Sequence, residues 1–293
     1  MFLPKKLLEE KLRQMLAEDL GQGDVTSAII VPEGSVAEAE MIAKEYGVAA
    51  GIEEAALLLE SLGLKCEICV KDGGEIKPKQ VLMKISGDAR TILSVERTVL
   101  NLVSRMSGIA TTTRKLVNKI REAGYKARIA CTRKTAPGLL YFDKKAVLVG
   151  GGDPHRLHLD DMILIKDNHI IIAGGVENAV KMVKAKASFS KKIEVEVTRV
   201  EDVLVAARAG ADIIMLDNFS LKHVEKAVSL LKKSGFFGKV LIEASGGITF
   251  DNVLDFASKE VDIISLGEIT HSVKALDISL EISGFKLQSQ APE

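Results

Sequence analysis

The sequence predicts an α/β protein in which a mixed α+β N-terminal region precedes a parallel sheet flanked by helices, closed into a barrel or left open. From residue 125 onward, short apolar runs alternate with amphipathic stretches, which is how βα units around a buried parallel sheet read in sequence. The first hundred residues lack that alternation and mix helix-period with strand-period segments. Each later apolar run also ends abruptly in charged, polar or glycine residues, and barrel folds carry their chemistry at the C-terminal ends of their strands.

In chain order, Leu7, Leu8, Leu12, Met15 and Leu16 fall at helical spacing and predict an amphipathic helix over 4–19, ended by Gly21-Gln22-Gly23-Asp24. Val36 to Ala43 alternates small or apolar residues with acidic ones and predicts a half-exposed strand. Ile52, Ala55, Ala56 and Leu59 share one face of a helix over 51–62, and 65–70 and 80–85 are strand-like, separated by the turn-rich DGGEIKPK. The longest helical candidate runs from Thr91 to Ala123; Ser107-Gly108 is expected to interrupt or bend it, and the domain boundary to fall nearby. Strands follow at 129–131, 163–165, 193–197, 213–216, 240–242 and 263–266, with helices at 175–187, 200–209, 221–233 and 250–259. No G-x-G-x-x-G follows the first of these strands, so nothing suggests dinucleotide binding on an open sheet.

Composition narrows the function classes. At 293 residues the chain has room for two domains, and 47% apolar with 27% charged residues is ordinary for a globular protein. Forty Lys+Arg balance forty Asp+Glu, which argues against nucleic acid as a partner. No apolar run approaches the roughly 18 residues a membrane span needs, and charges interrupt the N-terminal segment where a signal peptide would have its apolar core. A cytoplasmic location with no membrane association is the expectation. Three cysteines do not make a disulfide framework, and the lone Cys66-x-x-Cys69 lacks the second ligand pair a zinc site requires.

The chemistry concentrates between Arg128 and His169. There Arg133, Lys134, His155, Arg156 and Lys166 follow or connect short apolar runs, together with the Gly150-Gly151-Gly152 triplet, and few acidic residues accompany them. Cations delivered to one rim predict an anion site. Glu196 and Asp217 end adjacent strands and are candidates to hold Mg²⁺ with waters and substrate phosphates, the competing reading being a salt-bridge network with Lys134 and Lys166. Ser245-Gly246-Gly247 follows a strand and opens a helix, and Gly267 follows the next strand; backbone N–H groups in such a pair of loops can hold a phosphate. From spacing alone, Arg97 reads as a surface helix charge. A barrel aldolase using Lys166 or Lys134 as a Schiff-base amine is a rival from another class.

The segments ERTVLNLVSRMSGIAT, TRKTAPG, GGGDPHR, LIKDNH, IEVEV, ADIIMLDNFS, IEASGGIT and VDIISLGEITHS, in this order, resemble the quinolinate phosphoribosyltransferase family over nearly the whole chain. The resemblance implies an N-terminal α/β sandwich over 1–108 that caps a neighbouring subunit's site. It further implies an open, irregular, TIM-like α/β barrel over 109–270, a C-terminal segment 271–293 packing back on the N-terminal domain, and a homodimer or higher homo-oligomer. The implied reaction transfers phosphoribose from phosphoribosyl pyrophosphate to quinolinate with decarboxylation, with Mg²⁺ and no organic cofactor. Carried over by motif, Arg97 would reach the neighbouring subunit's site. Arg133, Lys134, His155, Arg156 and Lys166 would line the pocket for the dicarboxylate ring and the diphosphate. Glu196 and Asp217 would contact the ribose and magnesium-bound diphosphate, and Ser245, Gly246 and Gly267 the 5-phosphate; Lys134, Lys166, Glu196 and Asp217 are the catalytic candidates. Leu140, Pro154 and His158 depart from residues usual in the family, which bears on substrate choice and keeps a phosphoribosyltransferase for nicotinate or another acid as an alternative.

Overall fold

The computed structural model describes residues 3–287. The chain divides into two compact units, one running up to Thr112 and rejoined by the residues from Val273, the other formed by Thr113–Ser272.

In the first unit, α1 (Lys5–Leu20) buries Leu8, Leu12 and Leu16, one residue per turn, and leaves Leu7 half exposed. Asp24 caps the short α2 (Val25–Ile30) by accepting the Ser27 N–H. Strand β1 (Val36–Ala43) buries Ala37, Ala39, Met41 and Ala43, so the alternation in the sequence is the pleat itself. Strand β2 (Gly47–Val48), α3 (Ile52–Ser61), β3 (Lys65–Ile68), β4 (Glu75–Ile76) and β5 (Val81–Asp88) follow, with β2 and β4 forming a two-stranded sheet of their own. Helix α4 (Ala89–Glu122) then runs for 34 residues.

The interruption expected at Ser107-Gly108 is absent: α4 continues through both residues. They serve close approach instead. Ser107 Oγ accepts the Ala50 N–H at 3.0 Å and lies 3.2 Å from the Ala50 carbonyl oxygen, which accepts its hydroxyl hydrogen. At Gly108 a Cβ would stand 2.1 Å from the backbone oxygen of Lys274, a distance no side chain tolerates. Gly108→Ala is therefore expected to lower the melting temperature, at a cost of about 1–3 kcal/mol or more from overpacking against backbone. An unchanged melting curve would mean that the segment around Lys274 yields freely.

The second unit is built from βα units. Its elements are β6 (Arg128–Cys131), α5 (Leu140–Gly150), β7 (Ile163–Ile165), α6 (Asp167–Ala173), α7 (Val176–Lys186), β8 (Ile193–Val197) and α8 (Val200–Ala209). After them come β9 (Ile213–Asp217), α9 (Leu221–Lys233), β10 (Leu241–Ser245), α10 (Val253–Ala257), β11 (Ile263–Leu266) and α11 (Glu268–His271). The six strands form one parallel sheet in the order β6-β11-β10-β9-β8-β7, and β6 and β7 do not pair with each other. The result is an α/β barrel left open between its first two strands. On the free side of β6 the backbone of Asp153 hydrogen-bonds to Ile129 and Cys131, which fixes where the following residues enter the site. Strands β8 and β9 are buried along nearly their full length, as parallel strands covered on both faces must be. The apolar pattern at 240–242 marks only the start of β10, because Glu243 and Ser245 continue it on the barrel's inner face.

The chain ends in β12 (Ile278–Lys286), antiparallel to β1, which completes a four-stranded sheet β12-β1-β5-β3 in the first unit. The part of the expected C-terminal segment beyond residue 287 lies outside the described residues. No helix among the described residues is long and apolar enough to cross a membrane.

Candidate active site

The barrel candidates other than His155 and Arg156, which lie between α5 and β7, stand at C-terminal strand ends. Arg133 and Lys134 follow β6, Lys166 follows β7, Glu196 and Asp217 close β8 and β9, Ser245 ends β10, and Gly267 follows β11. Strand pairing brings Ser245 level with Asp217 on one side and with Ser265 on the other. Because side chains alternate, Met215 and Glu243, level with each other two residues earlier on their strands, point to the same inner face one step deeper and form a floor. Rim and floor enclose a cavity of about 730 Å³, large enough for a drug-sized ligand.

The carboxylates and the glycine turn share one wall. Lys166 Nζ lies 3.3 Å from Glu196 Oε2, a half-exposed ammonium against a largely buried carboxylate. Asp217 Oδ2 accepts from the Asn218 side-chain amide at 2.8 Å, and the Asn218 N–H donates to the Ser245 carbonyl at 2.8 Å, tying β9 to the turn after β10. Gly246 (φ +93°) can be nothing else, since a Cβ there would be 2.3 Å from Asn218 Oδ1. Gly247 also has positive φ (+63°), and both glycines line the cavity, where the missing side chains leave the backbone open to close approach by a ligand. The helix expected to open directly after these glycines does not. Helix α10 begins only at Val253, and the Thr249 N–H is already taken by Asn252 Oδ1 at 2.8 Å, so no helix dipole stands directly behind the turn.

Around Gly267 the stems of Lys134 and His271 converge; a Cβ would meet each at 3.1 Å. The Lys134 carbonyl accepts from Thr270 Oγ1 at 2.9 Å, which fixes the loop after β6 to α11. Arg156 is only 9% exposed on the cavity wall, and burial first, then the nearby Arg133 charge, lower its pKa. Two guanidinium groups held close together favour a ligand with two negative charges.

His155 lines the cavity with both ring nitrogens engaged internally. Its Nδ1 accepts the Arg156 N–H at 2.8 Å, so Nε2 carries the hydrogen and donates it to Glu243 Oε2 at 3.2 Å, with Glu194 Oε2 at 3.3 Å. Burial lowers the imidazole's affinity for a proton, but the hydrogen bonds and charges of Glu194 and Glu243 outweigh burial and raise it. Burial in turn raises the Glu194 pKa. Ligand atoms of the three residues lie within 4.8 Å of one another, a spacing that suits a metal ion. The proton that Glu194 and Glu243 hold on Nε2 decides against that reading, because a nitrogen that donates has no lone pair to offer an ion.

Several candidates are placed elsewhere. The Gly150-Gly151-Gly152 triplet is not part of the cavity lining: Gly150 ends α5, Gly151 caps it, and Gly152 packs where a Cβ would be 2.7 Å from Thr113 and 3.2 Å from the Ile129 carbonyl. Arg97 is an exposed residue of α4 in the first unit and does not line the cavity. Sequence reasoning gave no role to cavity residues Asn218, Glu243 and Glu268, which it saw only as polar strand ends, and passed over His271. Asn218 and Glu268 stand beside residues it had marked and were within reach of the same argument.

The comparisons with known proteins agree with this geometry. The quinolinate phosphoribosyl transferase C-terminal domain model matches residues 109–281, and the N-terminal domain model of the same family matches 24–107. A relative from Methanothermobacter thermautotrophicus named probable nicotinate-nucleotide pyrophosphorylase (carboxylating) is 44% identical over 275 residues, covering 94% of this chain and 99% of its own. The human nicotinate-nucleotide pyrophosphorylase (carboxylating) is 36% identical, with 96% and 94% covered. The solved nicotinate-nucleotide pyrophosphorylase from Francisella tularensis superposes with a TM-score of 0.87 at 37% identity, over 96% of this chain and 98% of that one. Matched across both domains, this chain belongs to the quinolinate phosphoribosyl transferase family.

Proposed function

We propose that the protein transfers the phosphoribosyl group of phosphoribosyl pyrophosphate to quinolinate and releases CO₂, giving nicotinate mononucleotide and diphosphate for NAD biosynthesis. The observation that carries the proposal is the division of one cavity into a guanidinium corner, Arg133 and Arg156, and a carboxylate-and-glycine wall, Glu196, Asp217 and Ser245 to Gly247. The first suits a planar dianion and the second a phosphorylated sugar.

In this reading Ser245, Gly246 and Gly267 hold the 5-phosphate while Lys134 and Lys166 neutralise the diphosphate. The ring nitrogen bonds to the ribose anomeric carbon as the carbon–oxygen bond to diphosphate breaks, and preorganised charge stabilises the separating groups. The ring then bears positive charge beside the adjacent carboxylate. Its carbon–carbon bond breaks, CO₂ leaves, and a proton replaces it on the ring. Glu196 and Asp217 are hard oxygen donors on neighbouring strands and would hold Mg²⁺. The ion would supply neutralisation of the leaving diphosphate. The protein works as a cytoplasmic homodimer, with Arg97 of one subunit reaching the site of the other.

The aldolase alternative fares worse. A half-exposed Lys166 ammonium paired with Glu196 is the opposite of the desolvated amine that Schiff-base chemistry needs. The deciding experiment is mass spectrometry of products from quinolinate, phosphoribosyl pyrophosphate and Mg²⁺. Nicotinate mononucleotide with one CO₂ per turnover is expected, and a product retaining both carboxylates would overturn the reading. Asp217→Asn is expected to lower kcat by about 10²-fold or more and to raise the Mg²⁺ concentration needed for half-maximal rate, with an unchanged melting temperature. An unaltered Mg²⁺ dependence would remove Asp217 from the metal.

A further inference from the structure

Arg156 reaches the cavity wall through an unusual backbone. The residue before it, His155, has φ +53°, a left-handed conformation that non-glycine residues seldom adopt and that persists only when the surroundings over-determine it. The surroundings here are specific. The His155 N–H donates to Asp153 Oδ1 at 2.7 Å, and the His155 ring is held from the barrel floor by Glu243 at 3.2 Å, with Glu194 at 3.3 Å. From the opposite side comes Lys144, a residue in the middle of α5 with no exposed surface. Its ammonium donates to the Pro154 carbonyl and, at 3.1 Å, to the Arg156 carbonyl, the two carbonyls that bracket His155.

A buried ammonium is costly, and Lys144 does not line the cavity. Its cost is offset where it grips the backbone. Holding the segment also matters electrostatically, since Arg133 repels both Lys144 and Arg156, while Glu194 and Asp161 attract Arg156 and Asp153 attracts Lys144.

We infer that Lys144 and Glu243 are positioning residues that lock the Asp153–Arg156 segment in its left-handed turn, so that the Arg156 guanidinium is presented to a substrate carboxylate. The inference rests on the proposed quinolinate reading for the identity of that carboxylate. Lys144 acts through two carbonyls and Glu243 through the His155 ring; neither needs to touch the substrate.

The test compares Glu243→Gln and Lys144→Met with the wild-type protein in steady-state kinetics, varying quinolinate and phosphoribosyl pyrophosphate separately. Misplacing a charge-assisted contact should raise the KM for quinolinate by about ten- to a hundredfold, with the KM for phosphoribosyl pyrophosphate within about twofold. Equal loss toward both substrates, or no loss in a folded variant, would overturn the inference. Should Lys144→Met fail to fold, the nearly isosteric Glu243→Gln carries the test. A crystal structure of Glu243→Gln gives a readout that needs no substrate: His155 leaving the left-handed region and Arg156 displaced are expected. A segment unmoved in that variant would refute the clamp. Wild-type protein inert toward quinolinate would count against the reading of the reaction, and the crystal structure would still decide on the clamp.

Discussion

Quinolinate is expected to be turned over with a kcat/KM about 10⁴-fold or more above that for nicotinate, because a site built to pair a charged group rejects the analogue that lacks it. The proposed site holds Arg133 and the buried Arg156 near enough for their charges to oppose each other. That arrangement is unfavourable when empty and is relieved by a dianion whose two carboxylates each take a guanidinium, at roughly 1.5–3 kcal/mol per charge-assisted contact. Nicotinate fills one partner and leaves the other cation desolvated and unpaired. The same argument predicts that Arg133→Lys loses most activity although the charge is kept, since an ammonium cannot reproduce the planar, two-pronged contact. Competition kinetics with both acids, on wild type and Arg133→Lys, give the ratio directly. Comparable turnover of nicotinate by the wild-type protein would replace the proposed reaction with its nicotinate alternative.

The rim of this site was legible in the sequence because barrel strands announce themselves as apolar runs and their ends as sudden polarity. Arg133, Lys166, Glu196, Asp217, Ser245 and Gly267 all fall at such a transition. The floor was not legible for the same reason. Glu194 and Glu243 are fully buried polar residues inside strands, where hydropathy treats them as noise or shortens the strand, as it did at 240–242. Nothing in the sequence marks Lys144, and only its burial distinguishes it from exposed lysines. Glycines misled in both directions. Gly108 looked like a break and is a contact, while the 150–152 triplet looked like part of the rim and is a helix end packed on β6. Local pattern reports what backbone a residue permits, and which neighbour requires it is tertiary information.

Mixing two inactive variants is expected to restore activity if Arg97 works in the neighbouring subunit's site. Arg97 is exposed on α4, in the first unit, and does not line the cavity that holds Lys166. Arg97→Ala and Lys166→Ala homodimers each have two defective sites under the proposal. In a dimer related by a two-fold axis, a mixed dimer joins the intact barrel of the Arg97→Ala subunit to the intact Arg97 of its partner, and the second site carries both defects. Random reassortment of equal amounts makes about half the dimers mixed, so about a quarter of wild-type activity is expected. Such recovery, from two preparations that are each near background, would exceed any effect of simple dilution or stabilisation. Tagging the two variants differently and isolating the mixed dimer isolates the prediction further: about half of wild-type activity per dimer, from one working site. Confirmed mixed dimers with no recovered activity would place Arg97 outside the shared chemistry and return it to an ordinary surface charge.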